Sequence, residues 1–430
     1  MVLSSNKLIK KLQSDPLPDL PMEAGDIFPN YTGASIINLP ASVCRWLAVQ
    51  PFGAPPLAHD WLSNIPGQYD QVVLLLIDGL GYDFLTRIVA GDFSGVRGLE
   101  FWGDRFDECP LLPLTSVSPS TTCAALSSLW TAAPPLQHGM LAYEMWLKEF
   151  GILSNMISFS PASARSQTGG LKHSGFDPQR FLPLPTFGDH LSGQGVETIV
   201  LQHTSIARSD LSLMLSARSE VYAFRAGSDL WLSLAEILAQ PKGGKRFIYV
   251  YWGALDELMH FYGPEDERVL LELSAFTLQM RYFLDKLPKQ GKKPLMLITA
   301  DHGQIHTPKQ PAYDLRNHPQ MVNCLTIMPS GESRLPFLFV RPRREDRLRD
   351  YVEKTWGKSF PMAAAETVLT SGLMGVLSVD HPHRERLGDW VVFPRGDAYW
   401  WWSDRDNPFL GRHGGLSRQE MLVPLLPIIW

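Results

Sequence analysis

Three apolar runs, each closed by an acid, constrain this chain more than any other feature. Val72-Val73-Leu74-Leu75-Leu76-Ile77 ends in Asp78. Phe247-Ile248-Tyr249-Val250-Tyr251-Trp252 is followed by Asp256, and Leu295-Met296-Leu297-Ile298-Thr299-Ala300 runs into Asp301-His302. Short apolar runs rich in branched and aromatic residues read as strands buried on both faces. Such strands build a mainly parallel sheet between helical layers, an α/β fold. Proteins of that kind place their ligands at the carboxyl ends of the strands. Each run therefore delivers an acid to the edge where chemistry is expected.

The segments between the runs fit the same alternation. Gly79-Leu80-Gly81 leads to a helix near 82–90, and a second helix is expected from Thr122 to Trp130. Strand signals at Glu197 to Leu201 and Val221 to Phe224 precede a helix from Leu230 to Ala239. After the 247–252 strand, the pattern predicts a long helix. Pro264 suits its first turn, Glu265, Asp266 and Glu267 suit its positive end, and Val269, Leu270, Leu273, Phe276, Met280, Phe283, Leu284 and Leu287 share a face.

Residues 1–70 are rich in proline and turn signals and are expected to wrap the core, with a helix around Ala41 to Ala48. The texture changes again near 305, where loops lead to a strand at Phe337 to Val340 and a charged helix from Arg344 to Trp356. This predicts a smaller inserted α+β lobe over 305–384, within an α/β core formed by 71–304 and 385–430. Trp390 to Phe393 and Ala398 to Trp402, flanking Pro394-Arg395-Gly396-Asp397, read as a β-hairpin. Its tryptophan run either alternates between core and surface or forms an aromatic substrate platform.

Composition narrows the functional classes. A hydrophobic content of 45% and a charged content of 19% are ordinary for a soluble globular protein. A net charge of −5 leaves no basic footprint for bulk nucleic-acid binding. Cys44, Cys109, Cys123 and Cys324 lie far apart without zinc-finger spacing, which suggests packing roles in a reducing compartment. Met1 to Pro21 has no apolar signal-peptide region, and no stretch is apolar enough to span a membrane. The expectation is a cytoplasmic protein without membrane contact.

Each polar candidate has a bland reading beside the chemical one. Asp256 and His260 are four residues apart and would share a helix face, good geometry for one metal but also a common chance pair. Asp301-His302 directly after a buried strand needs partners; a helix cap with a satisfied histidine would supply them without a metal. Asp78-Gly79 could be only a glycine turn, and His413-Gly414-Gly415 only a loop. Thr122, in Ser118-Pro119-Ser120-Thr121-Thr122, stands where helix caps are common. A helix N-terminus is also an anion site, and a metal there can lower the pKa of a hydroxyl so that it attacks as an alkoxide. The bland readings are largely independent and must all hold together. The conjunction therefore looks like a two-metal site with Thr122 as nucleophile.

Four motifs then resemble a known family. They are Val73-Leu74-Leu75-Leu76-Ile77-Asp78-Gly79; Ser118-Pro119-Ser120-Thr121-Thr122 running to Gln137-His138-Gly139-Met140; Asp256-x-x-x-His260-x-x-Gly263-Pro264; and Thr299-Ala300-Asp301-His302-Gly303, with a closing His413-Gly414. The chain resembles the type I phosphodiesterase / nucleotide pyrophosphatase branch of the alkaline phosphatase superfamily. The resemblance implies an alkaline-phosphatase-like fold, with Asp78, Asp301 and His302 on one ion and Thr122 bridging towards it. Asp256, His260 and His413 would hold the other ion. Zinc suits these ligands, and manganese is compatible. The implied activity is hydrolysis of a small-molecule phosphate diester, pyrophosphate or nucleotide through a phospho-threonine. A phosphomonoesterase or phosphoryl-transferring mutase is the alternative in the superfamily. A non-catalytic metal- or nucleotide-binding protein is the alternative outside it, and retention of all seven residues argues against that.

There are departures. Many nucleotide pyrophosphatases carry an Asn shortly after the His-Gly pair, where this chain has Tyr143. His138 itself reads as structural, and Thr121 is a second hydroxyl beside the expected nucleophile. Neither Cys109-Pro110 nor Cys123-Ala124 supplies a sulfatase signature. The segment from Ser116 to Thr131 has no Lys or Arg. It suits a diester, with one charge fewer than a monoester, unless an arginine reaches the site from Arg165 or the inserted lobe.

Overall fold

The buried runs pair with one another. In the computed structural model Gln71–Ile77 lies between Arg246–Trp252 and Leu295–Thr299, parallel to both. Ile77 is level with Trp252, and Leu76 with Thr299, so the three strands end at one height. Val72 to Ile77 are all buried, as strands covered by helices on both faces must be. The structure describes residues 5–13, 17, 19–108, 110–163, 168–240, 243–287 and 294–429, without the side chains of 105–108 and 429.

Among the described residues this sheet has seven strands, in the order Leu112–Thr115, Leu422–Ile429, Leu295–Thr299, Gln71–Ile77, Arg246–Trp252, Glu197–His203, Glu220–Phe224. Only Leu422–Ile429 runs against the rest. Helices cover the sheet, among them Tyr82–Ala90, Thr122–Thr131 and Gly227–Ala239. The architecture is α/β and alkaline-phosphatase-like, a mostly parallel sheet between helical layers. From the first seventy residues, Ile36, Leu39, Val43 and Trp46 are buried in the main core, and the helix observed there is Leu39–Trp46.

A second seven-stranded sheet is antiparallel throughout. Its order is Met362–Ala364, Trp390–Val392, Leu335–Leu338, Ser330–Glu332, Glu144–Leu147, Ile152–Asn155, Ser160–Pro161. Its strands thus come from before, within and beyond the 305–384 stretch. A two-stranded ribbon, Ile305–His306 with Gly411–Arg412, carries the chain to His413.

Two expectations change. A separate helix, Ala254–Tyr262, carries Asp256 and His260, and the long helix expected with Pro264 in its first turn starts at Glu267 and runs to Lys286. Gly263, at φ +89, turns the chain out of the first. Asp266 caps the second, its carboxylate accepting from the Arg268 N–H at 2.9 Å. Pro264, which has no N–H, lies in the turn between them. The 390–402 hairpin also does not form. Trp390–Val392 pairs with Leu335–Leu338 and Met362–Ala364, whereas Trp401 makes only an isolated bridge to Asp314. Trp400 is fully buried and stacks on Phe360 with ring centroids 4.9 Å apart. Burying that aromatic surface takes the segment away from the ladder it would otherwise form.

Cys44, Cys123 and Cys324 are free and buried. Cys109 and Arg165 lie outside the described residues. Among those residues, no helix is long and apolar enough to cross a membrane.

Candidate active site

Level strand ends bring residues far apart in sequence to one edge. Asp78 follows its strand directly and is 3% exposed. Its Oδ2 accepts a hydrogen bond from the Tyr251 hydroxyl on the neighbouring strand. Its Oδ1 is buried with no hydrogen-bond partner among the described residues, 3.5 Å from His302 Nε2. Asp301 is fully buried. Its Oδ1 accepts the N–H groups of Gly79 at 3.3 Å and His302 at 3.0 Å, and its Oδ2 has no hydrogen-bond partner. The second set comes from less regular elements. Asp256 and His260 share a face of Ala254–Tyr262, with Asp256 Oδ2 3.3 Å from His260 Nε2. His413 follows the ribbon, its Nε2 3.2 Å from His260 Nε2.

The three histidines are oriented in one way. Nδ1 of His260 lies 3.0 Å from the Gly411 carbonyl, Nδ1 of His302 lies 3.2 Å from that of Gly303, and Nδ1 of His413 lies 2.9 Å from that of Ser120. A carbonyl only accepts, so each Nδ1 carries the proton and each Nε2 presents a lone pair to the site. This is how metal-ligating histidines are held from behind. Two facing Nε2 lone pairs, and two buried carboxylate oxygens without donors, are stable together only around positive charge. The donor set fits divalent ions. Ligand atoms of Asp256, His260 and His413 lie within 4.8 Å of one another, as do those of Asp78, Asp256 and His302. Asp256 therefore stands at the seam of the two groups, and Asp301 closes the second from behind, its Oδ2 3.5 Å from His302 Nε2.

Thr122 is the first residue of Thr122–Thr131. Its Oγ1 lies 3.1 Å from His302 Nε2, beside both groups. Thr121 is the extended N-cap residue and makes no side-chain cap bond. His138 is fully buried below this helix, bonded to Ser128 Oγ at 2.8 Å and accepting the Met140 N–H at 3.1 Å. Burial pushes it down to about 3, so it stays neutral.

The electrostatics follow from the crowding. Burial, then the charges of Asp301 and Asp256, push Asp78 well above the usual carboxylate range. Asp301 is also raised, chiefly by burial. Burial works against Asp256 as well, but His260, His413 and His302 together hold it below its ordinary value. Burial and His302 push His413 well down, keeping its lone pair available.

A cleft of about 710 Å³ opens from Thr122, Asp256, His260 and His413. Tyr143, Trp401, Trp402 and Phe409 form its aromatic walls, and Glu144 and Glu332 stand among them. The basic residues lining it are Arg405 and Arg412. Tyr143 is 39% exposed overall, and the buried surroundings of its hydroxyl raise that group to about 12. Sequence reasoning passed over Tyr251, Gln304 and Glu332. Gln304 Nε2 bonds the Asp256 carboxylate. Tyr251 could have been found only from the register that sets it beside Leu76. Glu332 comes from a strand with no motif around it.

Fold and site together define an alkaline-phosphatase-like protein with a carboxylate–histidine cluster whose ligand atoms could hold metal ions. The chain belongs to the type I phosphodiesterase / nucleotide pyrophosphatase family, whose model matches residues 72–416. Among solved structures it is similar to murine ectonucleotide pyrophosphatase / phosphodiesterase 5, in an inactive form with AMP, at 14% identity and a TM-score of 0.60 over 83% of this chain and 87% of that one. It is also similar to phosphonoacetate hydrolase from Sinorhizobium meliloti with phosphonoformate, at 16% identity and a TM-score of 0.59 over 83% and 89%. The human ectonucleotide pyrophosphatase / phosphodiesterase 5 follows at 13% identity and a TM-score of 0.53 over 83% and 87%. At these identities the likeness is one of fold. No curated protein matches the chain by sequence.

Proposed function

We propose that the chain hydrolyses small-molecule phosphate diesters or pyrophosphates, nucleotides included, with Thr122 as nucleophile and two divalent ions, zinc or manganese, as cofactors. The observation that carries this is the Thr122 hydroxyl at a helix N-terminus, 3.1 Å from His302 Nε2 and beside two groups of metal-ligating atoms. Asp78, Asp301 and His302 are assigned to one ion, and Asp256, His260 and His413 to the other. When bound, the ions supply Lewis-acid charge for activating a hydroxyl and offsetting charge on the leaving oxygen.

Thr122 loses its proton to solvent and Oγ1 forms a bond to phosphorus, in line with the P–O bond that breaks. The leaving group departs with that oxygen, and the phosphoryl group stays on Thr122. Water then attacks phosphorus from the vacated side, the P–Oγ1 bond breaks, and the hydroxyl is restored. The free N–H groups of the first helical turn favour the phosphoryl oxygens throughout. The neighbours support this reading. The murine structure with AMP is of an inactive threonine-to-alanine variant, and the Sinorhizobium meliloti enzyme holds phosphonoformate.

The test is a hydrolysis screen of the zinc- or manganese-loaded chain over bis(p-nitrophenyl) phosphate, a dinucleoside polyphosphate and p-nitrophenyl phosphate. Diester or polyphosphate turnover that exhaustive chelation abolishes is expected. Full activity after chelation, or no turnover of any substrate with metal, overturns the reading.

A further inference from the structure

We infer that Glu332 is a specificity-determining residue of this reaction, whose carboxyl group disfavours a phosphoryl group bearing two negative charges and so selects diesters. The inference rests on the hydrolase reading above.

Its placement is held from several sides. Glu332 ends Ser330–Glu332 and is level with Leu335 across the turn Ser333-Arg334. Arg334, itself buried, ties that turn down through two bonds to the Glu420 carboxylate at 3.1 and 2.8 Å. Glu420 also accepts the Gly415 N–H at 2.9 Å, which links the turn to the loop carrying His413. Glu332 packs on that loop where it has no side chain. A Cβ on Gly414 would sit 2.6 Å from the Glu332 Cβ, and Gly414 has φ +108. On its other side Glu332 Oε1 accepts the Tyr143 N–H at 2.7 Å, and the Thr121 hydroxyl bonds the carboxyl group. Thr121 directly precedes the nucleophile.

Glu332 thus lines the cleft with Thr122, His260 and His413 but belongs to neither ligand group. It forms no ion pair among the described residues. The cleft's arginines are engaged with other groups or exposed. Arg412 bonds Thr307 and Asn407, each at 2.6 Å, and stacks over Tyr399 at 3.6 Å, while Arg405 is exposed. Glu144, paired with Gly331 on the next strand, adds a second acid to the same wall. A phosphate monoester carries about two negative charges near neutral pH, and a diester one. Burial raises the Glu332 carboxyl to about 7, so above that pH its carboxylate stands beside the reacting group and repels the second charge in a setting that screens poorly. Gln at this position removes the charge and keeps an acceptor for the Tyr143 N–H.

The experiment uses two substrates with one leaving group, on the metal-loaded full chain. Wild type is expected to favour bis(p-nitrophenyl) phosphate over p-nitrophenyl phosphate in kcat/KM. In Glu332→Gln that ratio is expected to fall about tenfold through a gain on the monoester, and Glu332→Asp should restore most of it. The ratio is taken within one preparation, so the folded fraction cancels. An unchanged ratio, or an equal loss on both substrates, overturns the inference. Should Glu332→Gln not fold, wild type decides it through competitive inhibition. Phenylphosphonate should bind about tenfold more weakly than its monoanionic methyl ester, and equal or tighter binding overturns the inference. Absence of turnover of both substrates by wild type would instead overturn the hydrolase reading.

Discussion

The two ligand groups differ in how they are built and how much water they see. Asp78, Asp301 and His302 stand at the ends of adjacent central strands, with side chains 4% exposed or less. Asp256 and His260 stand on a short helix, 15% and 24% exposed, and His413 on a loop after the ribbon. The first group is closed, and burial, reinforced by neighbouring carboxylates, pushes Asp78 and Asp301 up. The second mixes one acid with two imidazoles and opens on the cleft, so Asp256 is held down. In the proposed reading an ion would offset the carboxylates of the closed group, and an ion in the open group would be free to exchange and to meet substrate.

Removing the hydroxyl that stands beside both groups should have the largest effect. Thr122→Ala is expected to lower turnover by on the order of a thousandfold or more while both metals stay bound. Steady-state kinetics with elemental analysis checks this, and loss of metal with the activity would count against Thr122 as nucleophile. The comparison itself is broken or sharpened next. Chelation of wild type is expected to release metal in two phases. His260→Ala should lack the fast phase, and Asp301→Ala the slow one. A single phase in wild type would mean the groups do not differ in access. A smaller effect is expected from Tyr251→Phe, which removes the hydroxyl behind Asp78. It should weaken the tighter ion by about 10–100-fold and leave the other unchanged, read by competition with a metallochromic dye. The smallest is expected from Thr121→Ala. Its side chain makes no cap bond but bonds the Glu332 carboxyl group, so thermal unfolding should report the loss of about one hydrogen bond, ~0.5–1.5 kcal/mol. Turnover of bis(p-nitrophenyl) phosphate should stay within a few-fold. An inactive Thr121→Ala beside an active Thr122→Ala would exchange the roles of the two hydroxyls.

Much of the closed group was legible in the sequence. Apolar runs of strand length ending in Asp78 and Asp301-His302 could be read locally, because a strand buried on both faces shows itself in composition alone. The helix starting at Thr122 was legible for a similar reason, small residues packed between cap-forming hydroxyls. The open group was legible as residue types four apart on a helical turn. Pro264 and the acids fitted the start of the next helix, which the cap at Asp266 sets at Glu267.

What the sequence by itself determined is therefore the set of short-range commitments: which runs are strands, which acids end them, and which hydroxyl heads a helix. What only the tertiary structure decided is who meets whom. Tyr251 reaches Asp78 because two strands pair in one register. Glu332 reaches the cleft because strands before 165 and after 329 join one antiparallel sheet. Trp400 leaves a hairpin because Phe360 offers it a buried face. Each of these depends on pairing across long stretches of chain, and such contacts leave no period or spacing in the local sequence from which to read them.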